Sequence, residues 1–226
     1  NYDKERAYKI WEFLINRDNG KTNFHFEICG DLIDDEALVL LKKARKGLFQ
    51  FEIGIQSANP IALKAVNRNE NIYPILYNVE KLLDLANSHI HVDLIAGLPY
   101  EGYDSFGRSF NKIYELQPDN LQLGFLKLLK GTIIREDAAK YGYKFRKQAP
   151  YEVISNKYMS SVDIIKLKMI ENVLELFYNK GGFFYTLPQL EDAVSRTSFN
   201  FYEQLADFYY CNGYQHKSHK KEDLYR

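Results

Sequence analysis

The chain has 226 residues, of which 46% are hydrophobic and 27% are charged, an ordinary composition for a globular protein. Its 30 basic and 30 acidic residues give a formal net charge of +0, so it lacks the basic excess that marks nucleic-acid or anionic-membrane binding. We see no signal peptide and no apolar run that could span a bilayer, and the 2 cysteines form no disulfide framework, so we predict a cytoplasmic protein.

Apolar periodicity predicts alternating helices and strands in the first part of the chain. Alternation of this kind is typical of parallel strands joined by right-handed helical crossovers. Because it begins with a helix, we expect at least one further strand upstream. The predicted elements are a helix over 2–16, a strand over 23–29, a helix from Asp34 or Asp35 to Lys46, a strand over 49–56, a short helix from Pro60, a helix over 72–87, a strand over 89–97, a helix over 102–116 and a strand over 121–129.

Each predicted strand is apolar on one face and polar on the other. A closed eight-stranded barrel fills its interior with branched apolar side chains, so these strands indicate an open or incomplete barrel with a polar ligand inside. The alternative is a scaffold whose inner polar groups satisfy one another. The polar face collects Glu27, Glu52, Gln56, His91, Asp93 and Gln122.

From about Thr132 onward the sequence becomes richer in tyrosine and phenylalanine and loses the strand alternation. Helices are predicted over 160–179, 187–195 and 199–211. We therefore predict two parts, a barrel region over 1–134 and a helical extension over 135–226 that packs on it.

Two stretches, GIQSANPIALKAVNR over 54–68 and HVDLIAGLPYE over 91–101, resemble the central motifs of radical S-adenosylmethionine (SAM) enzymes. The stretch FHFEICGDLID over 24–34 is similar to the preceding strand of that superfamily. The branch it resembles most is cobalamin-associated and is described as anaerobic magnesium-protoporphyrin monomethyl ester cyclase-like, or Fe–S oxidoreductase. The resemblance implies an α/β fold, namely the C-terminal part of a partial TIM-like (β/α)6 barrel with a mainly helical, aromatic-rich extension.

The resemblance to coproporphyrinogen-dehydrogenase-type members also implies roles for individual residues. Glu27 would hold the methionyl ammonium of SAM and Arg68 its carboxylate, while Gln56 and Asp93 would bind the ribose hydroxyls. The chemistry is suitable, since a guanidinium matches a carboxylate bidentately and a diol suits a carboxylate with an amide. The backbone along the adenine would be that of Leu94, Ile95 and Gly97.

Plainer interpretations of some residues remain open. Arg68 could form a surface ion pair with Glu70, and Glu52 could be a neighbour of the ligand without touching it. For His89 and His91 we predict a hydrogen-bonded role on the inner face rather than metal ligation. A metal site at Cys211, His216 and His219 is a further, weaker alternative.

Radical SAM enzymes hold a [4Fe–4S] cluster with the pattern Cys-x3-Cys-x2-Cys, which this sequence lacks; Cys29 and Cys211 lie far apart. The expectation is therefore that this chain is part of a larger enzyme, inactive by itself, whose cluster ligands lie outside it. The resemblance implies SAM as cofactor, cobalamin in the full-length protein, reductive cleavage to a 5′-deoxyadenosyl radical and a reductant such as flavodoxin or ferredoxin. Its small-molecule substrate is unknown.

The rival hypothesis is a non-catalytic βα scaffold that binds a partner through its aromatic helices. An aldolase-like or hydrolase half-barrel would need an inner lysine or a metal cluster, and no strand face supplies one. Open sheet edges also predict association with another chain.

Overall fold

The structure, a computed structural model, describes residues 1–183, 185–194, 196–217, 220 and 223–224. Short 3-10 turns cover Gly30–Leu32 and Tyr214–His216, and a π-helical turn covers Glu175–Asn179. The strands are β1 (Phe24–Ile28), β2 (Phe49–Gln56), β3 (His89–Ala96), β4 (Asn120–Phe125), β5 (Lys144–Phe145) and β6 (Val153–Ser155). The helices are α1 (Lys4–Asn16), α2 (Asp35–Leu41), α3 (Pro60–Ala65), α4 (Tyr73–Asp84), α5 (Tyr103–Tyr114), α6 (Ile133–Glu136), α7 (Ala138–Tyr141), α8 (Ser161–Leu174), α9 (Thr186–Val194) and α10 (Ser198–Cys211).

The first four strands form one sheet in the order β1-β2-β3-β4. The pairing of β1 with β2 and of β2 with β3 is parallel, as the alternation of helices and strands predicts. The α/β fold class is therefore confirmed.

One face of the sheet is buried beneath helices. Along β2 and β3 every second residue is buried, including Phe51, Ile53 and Val92. Trp11 of α1 packs against the Phe51 ring with 5.9 Å between centroids. Burying these large apolar side chains supplies the main stabilisation of the layer, at about 1.5–3 kcal/mol for each side chain. The opposite face carries the polar residues, again as predicted.

The chain forms two compact units, and each is built from two separate segments. Residues 1–94 and 112–122 form the first unit, and residues 95–111 and 123–226 form the second. The division into 1–134 and 135–226 stays a prediction.

The second unit contains α8 and α10, which pack against each other, together with α5 as far as Asn111. Phe199 of α10 lies against Phe110 of α5, with 5.6 Å between ring centroids, and Tyr202 is fully buried beside the same phenylalanine. The aromatic richness of this region is therefore mainly core packing.

Two expectations about strands were wrong in this unit. The strand expected to reach residue 129 ends at Phe125, and the chain then pairs with residues 151–153, where Val153 N–H donates to the Leu126 carbonyl at 2.9 Å. A short antiparallel pair, β5 with β6, lies where no strand was expected. Strands of two and three residues are too short to display an alternating pattern.

None of the helices in the described ranges combines the length and the apolarity that a bilayer crossing requires.

Candidate functional site

Acidic and imidazole side chains line up across the polar face of the first unit. Glu27 of β1 pairs in register with Glu52 of β2, which pairs with His91 of β3. Two residues further along β3, Asp93 pairs with Gly54. The side chains of His91 and Asp93 are only 12% and 16% exposed, whereas Glu27 is exposed.

Gln56 ends β2 with an unusual backbone. Two residues advance on β2, from Gly54 to Gln56, while β3 advances one, which defines a β-bulge at Ile55. Gln56 has φ +74°, a left-handed conformation that residues with a Cβ seldom adopt. Its side chain turns back over Gly54, because a Cβ added at Gly54 would lie 2.1 Å from Gln56 Nε2. The glycine therefore makes room for the amide.

Arg68 reaches the same place through α3. Asn59 caps this helix by accepting N–H groups of its first turn at 3.0 and 3.4 Å. After the helix, Asn67 adopts φ +55°, and Arg68 N–H donates to the Leu63 carbonyl at 2.9 Å. This turn brings Arg68 Nη2 within 4.0 Å of the position that a Gly54 Cβ would occupy. The side chains of Gln56 and Arg68 therefore converge on Gly54, which pairs with Asp93 of β3.

The surface ion pair considered for Arg68 does not form. Glu70 lies 3.1 Å from Lys64 instead. Within the described part of the chain, the side chains of Arg68, Gln56 and Glu27 make no hydrogen bond or ion pair. Three polar side chains that the sequence singled out thus remain available to a ligand.

Glu27 lies in the row of paired residues Glu27, Glu52 and His91 across the sheet, whereas Gln56 lies further along β2. It borders a cavity of about 180 Å³ that is lined by α1 and β1, with Arg6 and Trp11 among its neighbours. Since neighbouring strands lie about 4.8 Å apart, the backbone of Glu27 is roughly 10 Å from that of His91, two strands away. A ligand that touches both Glu27 and Gln56 must be elongated.

The backbone after β3 was expected to lie along an adenine. Leu94 is fully buried beneath the sheet, and Ile95 is partly exposed on the polar side. Gly97 has φ +91°, and its carbonyl accepts hydrogen bonds from Tyr143 Oη at 2.8 Å and Asn156 Nδ2 at 2.9 Å. Neither of these two contacts was predicted, because nothing in the sequence pattern links them to Gly97.

The histidines and carboxylates of the polar face form a connected set. His25 Nε2 lies 3.0 Å from Glu52 Oε2. His91 places Nδ1 3.9 Å from that same oxygen and Nε2 3.0 Å from Asp93 Oδ1. Burial acts to lower the pKa of His91, but Asp93, Glu52 and a hydrogen bond with Gln122 outweigh it and raise that pKa. His91 thus lies on the inner face beside two carboxylates, but its Nε2 has no well-directed hydrogen bond among the described residues, so the hydrogen-bonded role stays a prediction.

The described residues do not fit an iron–sulfur cluster or another metal centre. Cys29 and Cys211 are exposed free thiols, and a cluster needs several convergent thiolates. Within the same ranges, no three residues among His, Cys, Asp and Glu are arranged to hold a metal ion. His219, one member of the alternative metal site, lies outside the described residues.

A larger cavity of about 520 Å³ lies within the second unit. Its lining is mainly aromatic and aliphatic, with Phe177, Phe201 and Phe208 on its walls and Lys217 and Asp223 as its charged members. The volume is in the range of small-molecule sites.

Comparison with known proteins agrees with the parallel α/β fold. Residues 2–113 match the radical SAM superfamily, and residues 139–226 match a family described as a protein of unknown function, DUF4080. The oxygen-independent coproporphyrinogen III oxidase of Pseudomonas aeruginosa is 32% identical over 110 residues, which are 49% of this chain and 23% of that protein. The corresponding Salmonella typhimurium oxidase is 27% identical over 109 residues, 46% of this chain and 24% of the oxidase.

Solved structures resemble the chain at the level of the fold. Coproporphyrinogen III oxidase (HemN) from Escherichia coli aligns with a TM-score of 0.54 and 21% identity, covering 76% of this chain and 37% of HemN. The radical SAM methyltransferase TsrM from Kitasatospora setae aligns with a TM-score of 0.52 and 16% identity, covering 67% of this chain and 32% of TsrM.

The match to the radical SAM superfamily thus covers residues 2–113, slightly less than half of the chain. The chain spans about a quarter of the length of the curated relatives it matches. These relatives are coproporphyrinogen oxidases, and they do not identify the cobalamin-associated cyclase branch.

Proposed function

We propose that the polar face of the sheet binds S-adenosylmethionine. In this proposal Asp93 and the Gln56 amide accept and donate hydrogen bonds at the ribose hydroxyls, and Arg68 forms a bidentate pair with the methionyl carboxylate. Glu27 receives the ammonium, and the backbone from Leu94 to Gly97 lies along the adenine.

The observation that carries the proposal is the convergence at Gly54. The Gln56 amide fills the space over this glycine, and the Arg68 guanidinium lies at its edge without a partner in the described residues. A left-handed glutamine at a strand end costs about 1–2 kcal/mol, and strain of this kind is concentrated at binding sites. The superfamily match of residues 2–113 supports the choice of ligand.

Two ligands test the assignment residue by residue. Adenosine carries the ribose and the adenine alone, whereas SAM adds the amino acid. We expect Asp93→Asn and Gln56→Ala to weaken the binding of both ligands, measured by isothermal titration calorimetry. Arg68→Ala should weaken SAM about tenfold or more and leave adenosine unchanged, because one charge-assisted contact contributes roughly 1.5–3 kcal/mol.

Two further variants sharpen the measurement. Lys64→Ala is a matched control, since Lys64 is a cation of α3, four positions before Arg68, and already pairs with Glu70. Gly54→Ala keeps every polar group but displaces the Gln56 amide, so it should weaken adenosine binding with little loss of stability. Equal effects of Arg68→Ala and Lys64→Ala on SAM affinity would contradict the proposal.

We further propose that the chain is part of a longer radical SAM oxidoreductase, in which other residues ligate the [4Fe–4S] cluster and SAM is cleaved reductively to a 5′-deoxyadenosyl radical. The test is a longer protein that includes cluster cysteines, reconstituted with iron and sulfide and reduced with dithionite. 5′-Deoxyadenosine detected by mass spectrometry is the expected product. Its absence, with SAM binding intact, would reject the radical reaction and leave the binding site standing.

The finer predictions also remain proposals. We propose that the longer protein is a cobalamin-dependent cyclase or methyltransferase. Two observations support this, the motif resemblance and the cobalamin bound in the TsrM structure, which resembles this chain in fold. A flavodoxin or ferredoxin reductant, an unknown small-molecule substrate, association through sheet edges and a cytoplasmic location are proposed in the same sense. A chain that binds neither adenosine nor SAM would favour the scaffold hypothesis.

A further inference from the structure

The imidazole of His91 lies between two carboxylates. Its Nε2 is 3.0 Å from Asp93 Oδ1, and its Nδ1 is 3.9 Å from Glu52 Oε2. A carboxylate oxygen only accepts hydrogen bonds, and a neutral imidazole carries one N–H. A protonated ring always carries an N–H at Nε2 for Asp93 and attracts Glu52 through its charge, whereas a neutral ring has no charge and carries the Nε2 N–H in only one of its two tautomers.

The contact with Asp93 is buried and incompletely formed. His91 Nε2 and Asp93 Oδ1 are both shielded from water, yet within the described residues neither atom has a well-directed hydrogen bond. Their 3.0 Å separation nevertheless allows a strong electrostatic interaction. Small rotations of either side chain would align the donor with the acceptor.

The neighbouring strands all place groups near His91 that affect its protonation. Asp93 faces it from β3, Glu52 from β2 and the Gln122 amide from β4, while His25 of β1 touches the far side of Glu52 at 3.0 Å. The surroundings are acidic overall, and they raise the pKa of His91 despite its burial.

We propose that His91 is a positioning residue for Asp93, and that its protonation increases the affinity of the site for a ribose diol. This inference rests on the proposed function, in which Asp93 binds the ribose. The protonated ring holds Oδ1 of Asp93 and leaves Oδ2 free to accept the hydroxyl groups. Loss of the proton removes the positive charge beside Asp93 and allows the tautomer that has no N–H at Nε2, so the ligand must then bear the free-energy cost of ordering Asp93.

The first measurement is adenosine affinity between about pH 5.5 and pH 8.5, by calorimetry on the full chain. For the native protein we expect affinity to fall about tenfold as the pH rises, the cost of one charge-assisted hydrogen bond. His91→Leu should be weak at every pH. His91→Gln should be intermediate and independent of pH, because an amide N–H donates at every pH.

His89→Gln is the matched control, since His89 lies on the same strand two residues away and faces Asp119 at 4.0 Å. This variant should keep the native pH profile. A second readout is the titration of the His91 ring by NMR. Adenosine should raise the pKa of His91, because coupling between a proton and a ligand is reciprocal.

The possible failures are distinct. A native affinity that is independent of pH, or a His91→Leu variant with the native slope, overturns the positioning role while SAM binding stands. An unchanged His91 titration on saturation with adenosine does the same. Absence of adenosine binding at every pH overturns the proposed function and the positioning role together.

Discussion

Gln56 illustrates what sequence can and cannot provide at the scale of one residue. The motif resemblance picked out Gln56, Arg68 and Asp93, and strand alternation predicted that Gln56 and Asp93 lie on the polar face of the sheet. The left-handed backbone of Gln56 could not, because it follows from a bulge between two paired strands. Sequence spacing alone does not reveal register shifts of this kind.

This backbone strain leads to a first prediction. Gln56→Gly removes the steric cost of φ +74° but makes the unfolded chain more flexible. We expect the free energy of unfolding, measured with urea, to stay the same or rise by about 1 kcal/mol. Adenosine affinity should fall, because the amide is lost. Adenosine binding is thus expected to weaken without a loss of stability.

Ala86→Gly provides the comparison. Ala86 is exposed and also left-handed, with φ +53°, and it lies in the loop after α4. Its replacement should change stability in the same way and leave adenosine affinity untouched. A marked loss of stability in Gln56→Gly would show that the amide contributes to folding rather than to ligand binding.

At the scale of elements, the start of α2 shows where prediction succeeds and its end shows where it fails. Its start was predicted, because Asp34 is a good capping residue and accepts the N–H of Ala37 at 3.0 Å. Its end was expected near Lys46 but lies at Leu41. The Asn87 amide donates to the carbonyls of Leu41 and Ala44 at 2.9 and 3.1 Å and so closes the helix. A cap supplied by a distant residue leaves no local signal.

The charge of Asp34 gives a second prediction. Lys4, which donates at 2.8 Å, together with Tyr8 and the Ala37 N–H lowers the pKa of this carboxyl to about 2. A lowered pKa in the folded state stabilises the protein above the unfolded value of about 3.9, and this stabilisation is lost as the pH falls through about 2. Asp34→Asn keeps a cap and removes the charge. The difference in free energy of unfolding from the native protein should therefore shrink between pH 5 and pH 2.

Asn59→Ala separates capping from charge. Asn59 caps α3 with an amide that does not titrate, so its loss should cost about 1 kcal/mol at every pH in this range. Urea unfolding followed by circular dichroism measures both variants. If the Asp34→Asn difference were constant from pH 5 to pH 2, the ion pair with Lys4 would contribute nothing.

A close approach between α5 and α10 gives a third prediction. A Cβ at Gly107 would lie 2.7 Å from Cδ1 of the Phe199 ring, which other aromatic rings hold in place. Gly107→Ala should therefore lower the free energy of unfolding by about 1–3 kcal/mol, although alanine is the better helix former. The double variant with Phe199→Leu should recover part of the loss. Arg108→Ala, at an exposed neighbouring position, is the control.

At the scale of the whole molecule, the parallel order of the strands and the polar face followed from the sequence, but the surroundings of Gly97 did not. Its hydrogen-bond partners Tyr143 and Asn156 are 46 and 59 positions away. A Cβ at this glycine would also meet Val153 Cγ1 at 2.9 Å. Residues after 134 therefore complete the environment of a residue in the motif GLPYE, which local patterns cannot reveal.

This packing leads to the last prediction, which also tests the division at 134/135. A fragment of residues 1–134 retains α5 but loses α10, whose Phe199 and Tyr202 cover Phe110. We expect the fragment to bind an apolar dye and to unfold without a sharp transition, because a buried helix face is exposed to water. The full chain, in which this face is covered, should bind less dye than the fragment.

Complementation provides the decisive comparison. Mixing the fragment with residues 135–226 restores the partners of Phe110 and Gly97, so dye binding should fall and near-ultraviolet circular dichroism should recover. If the near-ultraviolet signal did not recover, the helicity of residues 135–226 measured alone would show whether that fragment had folded. A sharp, cooperative transition of residues 1–134 by themselves would contradict the prediction and support a domain boundary at 134/135. The extension would then contribute to the surroundings of Gly97 but not to the folding of the barrel region.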